Sequence, residues 1–144
     1  MLEKIKELIG RNDVCVMATV SEKEPHCSLM SYIADKECRE IYMMTLKDSK
    51  KYRNLRENNA VSLLIDSREE ESGSRGRIKA LTVKGAFARI EDEAARRNVW
   101  ERLLEHHPQL QELEAAGDVE VFAVKIQSVQ LLDGVSDAFF ETLD

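Results

Sequence analysis

The residues with the clearest chemical potential lie between Ile41 and Leu64. An apolar run ends at Thr45, Asp48-Ser49-Lys50-Lys51 follows, then a helical pattern, then Val61 to Ile65. Asp48 is the expected N-cap of that helix. A helix start presents unpaired backbone N–H groups and partial positive charge. Ser49 adds a hydroxyl, and Lys50 and Lys51 add two cations within one turn. Together they could cradle a phosphate. Solvated surface lysines are the plainer reading. Cations in a first turn nevertheless oppose the helix dipole, which hints that they serve a ligand.

Other reactive side chains form no recognisable catalytic set. His106 and His107 are adjacent, so they point to different sides of a helix and lack the spacing of a zinc pair. No GxSxG, Walker loop or Rossmann glycine pattern occurs. Cys15, Cys27 and Cys38 are odd in number and widely spaced, which fits small apolar residues in a reducing, cytoplasmic setting. Asp35, Glu37 and Glu40 read as solvated. Met17, Met30, Met43 and Met44 read as gap-fillers in a core or interface. Trp100 reads as the core anchor of its helix.

The elements that must position the cradle follow from periodicity. Leu2, Ile5, Leu8 and Ile9 mark a short amphipathic helix. Strands are expected at Val14–Val20, His26–Ala34, Ile41–Leu46, Val61–Ile65, Ile78–Ile90 and Val119–Leu132. Val14–Val20 is apolar on both faces, so both are expected to be covered. Gly85 marks a bulge or a close backbone approach. Asp92 caps a helix to about His107, Pro108 interrupts it, and a shorter helix ends at Gly117. Ser67 to Arg77 is the one long loop, and Asp133 to Asp144 is a tail. Six strands, few helices and hairpin-short links predict a mainly β, mostly antiparallel β-barrel with peripheral helices.

The 144 residues fit one domain spanning the chain. A formal net charge of −6 argues against nucleic acid as partner. No apolar run approaches the ~20 residues that span a bilayer, and Met1 to Arg11 lacks a signal-peptide core. Two-faced apolar strands with few helices to cover them predict a homodimer.

The stretch ATVSEKEPHCSLMSYI, followed by IYMMTLKDSKKYRNLRENNAVSLLID, resembles the N-terminal half of pyridoxamine-5′-phosphate-oxidase-like flavoproteins. The matching features are Thr45, Ser49-Lys50-Lys51, Glu57-Asn58 and Val61-Ser62-Leu63-Leu64. A weaker match runs from Thr82 to Glu93. The resemblance implies a six-stranded FMN-binding split barrel that dimerises with the flavin at the subunit interface. It implies that Lys50 and Lys51 hold the FMN phosphate with Ser49 beside them, and that Met44 and Thr45 lie near the ring or ribityl chain. Ser28, Leu29, Met30 and Ser31, on the strand running to Ile33, would line the isoalloxazine through backbone groups, with His26 at that strand's start. The vitamin oxidase itself has Arg, Lys and Gln where Ser28, Ile33 and Ala80 stand, and a C-terminal Trp and Arg motif without counterpart here. The expectation is an FMN-dependent oxidoreductase for an unidentified small substrate. The alternative is a flavin- or haem-binding, stress-related module without turnover.

Overall fold

The computed structural model describes residues 2–70, 73 and 75–143. Glu71, Ser72 and Ser74 of the long loop lie outside the described residues. The elements are α1 (Leu2–Arg11), β1 (Val14–Ser21), β2 (Glu24–Ser31), β3 (Ile33–Ala34), β4 (Glu40–Leu46), α2 (Lys50–Glu57), β5 (Ala60–Asp66), β6 (Lys79–Arg89), α3 (Glu93–His106), α4 (Gln111–Ala116), β7 (Val119–Asp133) and β8 (Asp137–Thr142).

Every strand pairing is antiparallel, in the order β2-β1-β5-β6-β7-β4-β3, with β8 beside β7. β2 and β3 are consecutive in the chain yet stand at opposite ends of that order. The sheet must therefore curl until its ends meet, with Tyr32 alone as the link. This is a split barrel with helices outside it.

Alternation along the strands fills the barrel. Cys15 and Met17 of β1, Met43 of β4, Leu63 and Ile65 of β5, and Phe122 of β7 turn inward and are buried, and Ile5 and Ile9 of α1 join them. Each such side chain contributes roughly 1.5–3 kcal/mol by leaving water. A second cluster lies outside the sheet, where Val99 and Leu103 of α3 cover Ile33, Met44 and Val121. α3 starts as expected, with Asp92 accepting from Ala95 N at 2.8 Å.

Local chemistry explains the turns. Glu22 and Lys23 both have positive φ (48° and 70°), which a two-residue hairpin between Ser21 and Glu24 demands. At Gly85 the β6–β7 register shifts, and an added Cβ would sit 2.5 Å from the Lys125 carbonyl oxygen. The expected bulge and the expected close approach are thus one feature.

Four expectations need correction. The strand foreseen at His26–Ala34 is two strands, because Tyr32 is pulled inward: its N–H donates to Asp13 O at 2.9 Å and its hydroxyl to Ile9 O at 2.6 Å. The foreseen tail holds β8, which pairs with the overhanging end of β7, so there are eight strands and not six. The outer face of β1 is not covered within the chain: Val14 is exposed, and Val16, Ala18 and Val20 are half-buried. Ser49, not Asp48, caps α2. Its Oγ accepts from Tyr52 N at 3.2 Å, while the exposed Asp48 carboxylate pairs with Arg53 at 3.2 Å.

Candidate functional site

The barrel is split along a line that the strand register defines. β3 pairs with β4 at only two positions, Ile33 with Tyr42 and Ala34 with Ile41. Continued past Tyr32, that register would set Ser31 opposite Met44, Met30 opposite Thr45 and Leu29 opposite Leu46. No such ladder forms: β2 pairs with β1 along one edge and leaves its other edge without a strand partner. Two strand edges therefore part at Tyr32. The residues foreseen on β2 and those foreseen on β4 lie along these two edges. Backbone N–H and C=O groups left unpaired on such edges are donors and acceptors for a bound group.

At the far end of β4 the chain turns into α2. Thr45 is buried, and its hydroxyl lies 3.3 Å from that of Ser49. Lys50 is exposed and Lys51 half-buried, and the first turn of α2 carries no acidic residue. α2 is held against the barrel by buried Tyr52 and Leu55, with polar contacts beside them. Asn54 Nδ2 donates to Thr19 Oγ1 at 3.2 Å in the interior, and Ser21 Oγ donates to Glu57 Oε2 at 3.1 Å.

The side chains of the foreseen residues do not all face one way. Directly opposed residues share a face. Ser28 opposite Met17 and Met30 opposite Cys15 thus face inward, while Leu29 opposite Val16 and Ser31 opposite Val14 face outward. Met30 is buried in the barrel core, and Leu29 is 74% exposed. The Met44 side chain packs in the outer cluster against α3, and Met43 is sealed in the barrel. Only the backbone of Met44 can serve the split. Ala80 sits on β6 between Asp66 and Leu132.

Of the three histidines, two are engaged. His107 is buried, with Nε2 3.0 Å from Tyr32 O. A carbonyl only accepts, so Nε2 carries the proton. His106 is exposed, with Nδ1 3.0 Å from Arg102 O. His26 is half-buried, opposite Thr19 on the inner side of β2.

Sequence reasoning missed a buried charge. Glu120, opposite Thr45 in the β4–β7 register, is 4% exposed. Its oxygens lie 3.5 Å from Lys47 Nζ and 3.5 Å from Arg96 Nη1. Nothing in the sequence separates Glu120 from the other acidic residues. Trp100 is only half-buried, whereas Val99 and Leu103 anchor α3.

The donor set fits a flavin phosphate and ring. Two lysines and a hydroxyl stand at a helix start whose first turn carries no acidic residue, Asp48 just before it being paired with Arg53, and two strand edges run from there to Tyr32. The sequence pattern of the family described as pyridoxamine 5′-phosphate oxidase matches residues 1–133. The chain belongs to that family. No curated protein matches the chain. Several solved structures share its fold at low identity. A haem-binding protein from Mycobacterium smegmatis superposes with a TM-score of 0.82 at 20% identity, over 98% of this chain and 57% of that one. The chain thus spans little more than half of that protein. General Stress Protein 26 from Bacillus anthracis str. Sterne gives 0.74 at 19% identity, covering 99% of this chain and 98% of its own. A FAD-binding protein from Mesorhizobium loti gives 0.70 at 20%, covering 91% of each. Across the pyridoxamine 5′-phosphate oxidase family, the match extends to Asp133 and so takes in β1 to β7 and leaves β8 outside.

Proposed function

We propose that this chain binds a flavin through its mononucleotide part, FMN, and acts as an oxidoreductase on a small substrate. The observation that carries the reading is the coincidence of register and helix start: residues 28–31 and 44–45 line the two edges of the split, which ends at Ser49-Lys50-Lys51. A bound flavin supplies two-electron redox chemistry, and the protein's part is binding, orientation and electrostatics. Lys50 and Lys51 neutralise the phosphate, and Ser49 orders the loop by capping α2. The edges of β2 and β4 offer backbone groups to the ring.

The proposal includes a homodimer. Val14, Leu29, Leu64, Leu132 and Phe140 are all exposed, and the register places them on the outer face of the sheet. A second copy of the chain would cover them and wall the split, leaving room for a substrate between subunits. Three unpaired cysteines suit a reducing, cytoplasmic setting. No helix among the described residues is long and apolar enough to cross a membrane.

A haem-binding or non-catalytic role is the second reading. It would rest on His26, because His106 and His107 already bond to backbone carbonyls. The test is the absorbance spectrum of the purified protein after incubation with FMN and desalting. Retained flavin bands that vanish in the Lys50→Ala, Lys51→Ala double variant support the proposal. Reduction of those bands by a nicotinamide donor supports turnover. A Soret band, or no chromophore, refutes it. Sedimentation as a stable monomer refutes the dimer.

A further inference from the structure

We infer that the substrate of the proposed oxidoreductase is a small organic cation with an apolar body and no anionic group, seated in a hollow on the outer face of β1 beside the split. The inference rests on the oxidoreductase reading above and names its substrate class. The register sets Val16 between Leu29 of β2 and Leu64 of β5 on that face, and Val14 is the next outward residue of β1. These four side chains floor a hollow of about 470 Å³. Neighbouring strands lie about 4.8 Å apart, so a group resting on Val16 is within roughly 10 Å of the open edge of β2. The hollow also reaches the point where the two edges part. Asp13 lines it, and the Asp13 carbonyl accepts from Tyr32 N at 2.9 Å.

The rim of the hollow is acidic. Asp13, Asp66 and Glu69 stand around it with one cation, Arg68. Arg68 Nε donates to Asp66 Oδ1 at 3.0 Å, and the Asp66 side chain is only 13% exposed. Arg68 is thereby engaged, which leaves two carboxylates in excess, those of exposed Asp13 and Glu69. Negative charge around an apolar floor repels a phosphate or carboxylate. It favours an ammonium or guanidinium group carried on an alkyl or aromatic body. Val14, Leu29 and Leu64 are exposed, so a ligand that covers them removes apolar surface from water. The second copy of the chain proposed above would roof the hollow. Laid flat with no cation between, it would desolvate these carboxylates at a cost. A cationic substrate held between the subunits offsets that cost.

Benzylammonium, benzyl alcohol and benzoate share one ring and differ in charge. Each is titrated against the isotope-labelled full chain, with and without FMN, and followed by amide chemical shifts. Benzylammonium is expected to shift amides of residues 13–16 and 64–69 saturably. It should bind about tenfold more tightly than benzyl alcohol, the scale of one hydrogen bond to a charged group. Benzoate should give no saturable shift. With FMN bound, benzylammonium should also perturb the flavin absorbance, as a group beside the ring does. Asp13→Asn with Glu69→Gln should lower benzylammonium to the affinity of benzyl alcohol, and leave benzyl alcohol binding and the melting temperature unchanged. Equal affinities for the three probes overturn the inference, as do benzylammonium shifts confined to another part of the barrel or a flavin spectrum indifferent to bound benzylammonium. A chain that ignores benzylammonium and whose double variant sediments as a monomer also overturns it, and assigns the carboxylates to the subunit contact. Failure to retain FMN overturns the oxidoreductase reading, whereas the shifts measured without FMN still decide the cation site.

Discussion

Tyr32→Phe isolates the residue at which the barrel splits. The Tyr32 hydroxyl donates at 2.6 Å to Ile9 O, in the last turn of α1, where carbonyls lack helical partners. Both residues are buried, at 2% and 1% exposure. Phenylalanine keeps the ring and deletes only the donor, leaving one buried carbonyl unpaired. Such a loss costs about 1–3 kcal/mol. The unfolding entropy is about 2.1 cal/mol/K per residue, or roughly 0.3 kcal/mol/K for this chain, so the melting temperature should fall by about 3–10 °C. The pH dependence supplies a second check. Burial, followed by the nearby Cys15, Asp13 and Cys38, holds the Tyr32 phenol protonated well above its ordinary range. The folded state thus binds this proton more tightly than the unfolded state. The stabilisation is complete below about pH 10 and is lost above it, at roughly 1.4 kcal/mol per pH unit. The variant has no such proton, so the gap between the two proteins should narrow as pH rises past 10. Tyr42, Cys15 and Cys38 are also shifted upward, but they affect both proteins alike. Urea unfolding at pH 7 and across pH 9–11 measures the gap. A variant melting within about 1 °C of the wild type, or a gap independent of pH, would refute the reasoning.

Three further outcomes are expected. Gly85→Ala should lose about 2–3 kcal/mol, because its Cβ would press on a backbone oxygen at 2.5 Å and on Val124 Cγ1 at 2.8 Å, and an unchanged melt would show that the bulge yields freely. Ser49→Ala should cost about 1 kcal/mol of stability through the lost cap, whereas Ser49→Asp should keep the cap and still weaken FMN binding by placing an anion in the cradle; equal FMN affinity in the Asp variant would count against a phosphate there. Burial pushes the Cys15 thiol up to about 12, so a thiol reagent at pH 8 should leave one of the three cysteines unmodified until denaturant is added, and full labelling of the native protein would contradict that burial.

Much of the site was legible because it is local. Ser49, Lys50 and Lys51 are neighbours in the chain, and a helix start needs only neighbours to be recognised. The N-cap was misplaced by one residue because Asp and Ser are both good caps. The choice between them depended on Thr45 below Ser49 and on Arg53 drawing Asp48 away. Met44 read as a flavin contact, yet its side chain lies beneath α3, since α3 occupies the face that strand alternation assigns to Met44. The break at Tyr32 was invisible because β-strand character runs through it, and only Ile9, Asp13 and His107, at distances of up to 75 residues, pull it out of line.

The sequence by itself determined the helices and most of the strands, the antiparallel class, the bulge at Gly85, the N-cap of α3 and the basic start of α2. These depend on side-chain periodicity and on chemistry within a few residues. Tertiary structure alone decided that β2 and β3 stand at opposite ends of one curled sheet, that β8 completes β7, and that Glu120 gathers Lys47 and Arg96 beside Thr45. Those outcomes come from pairing between distant segments, where burial and register, not local preference, set the free energy.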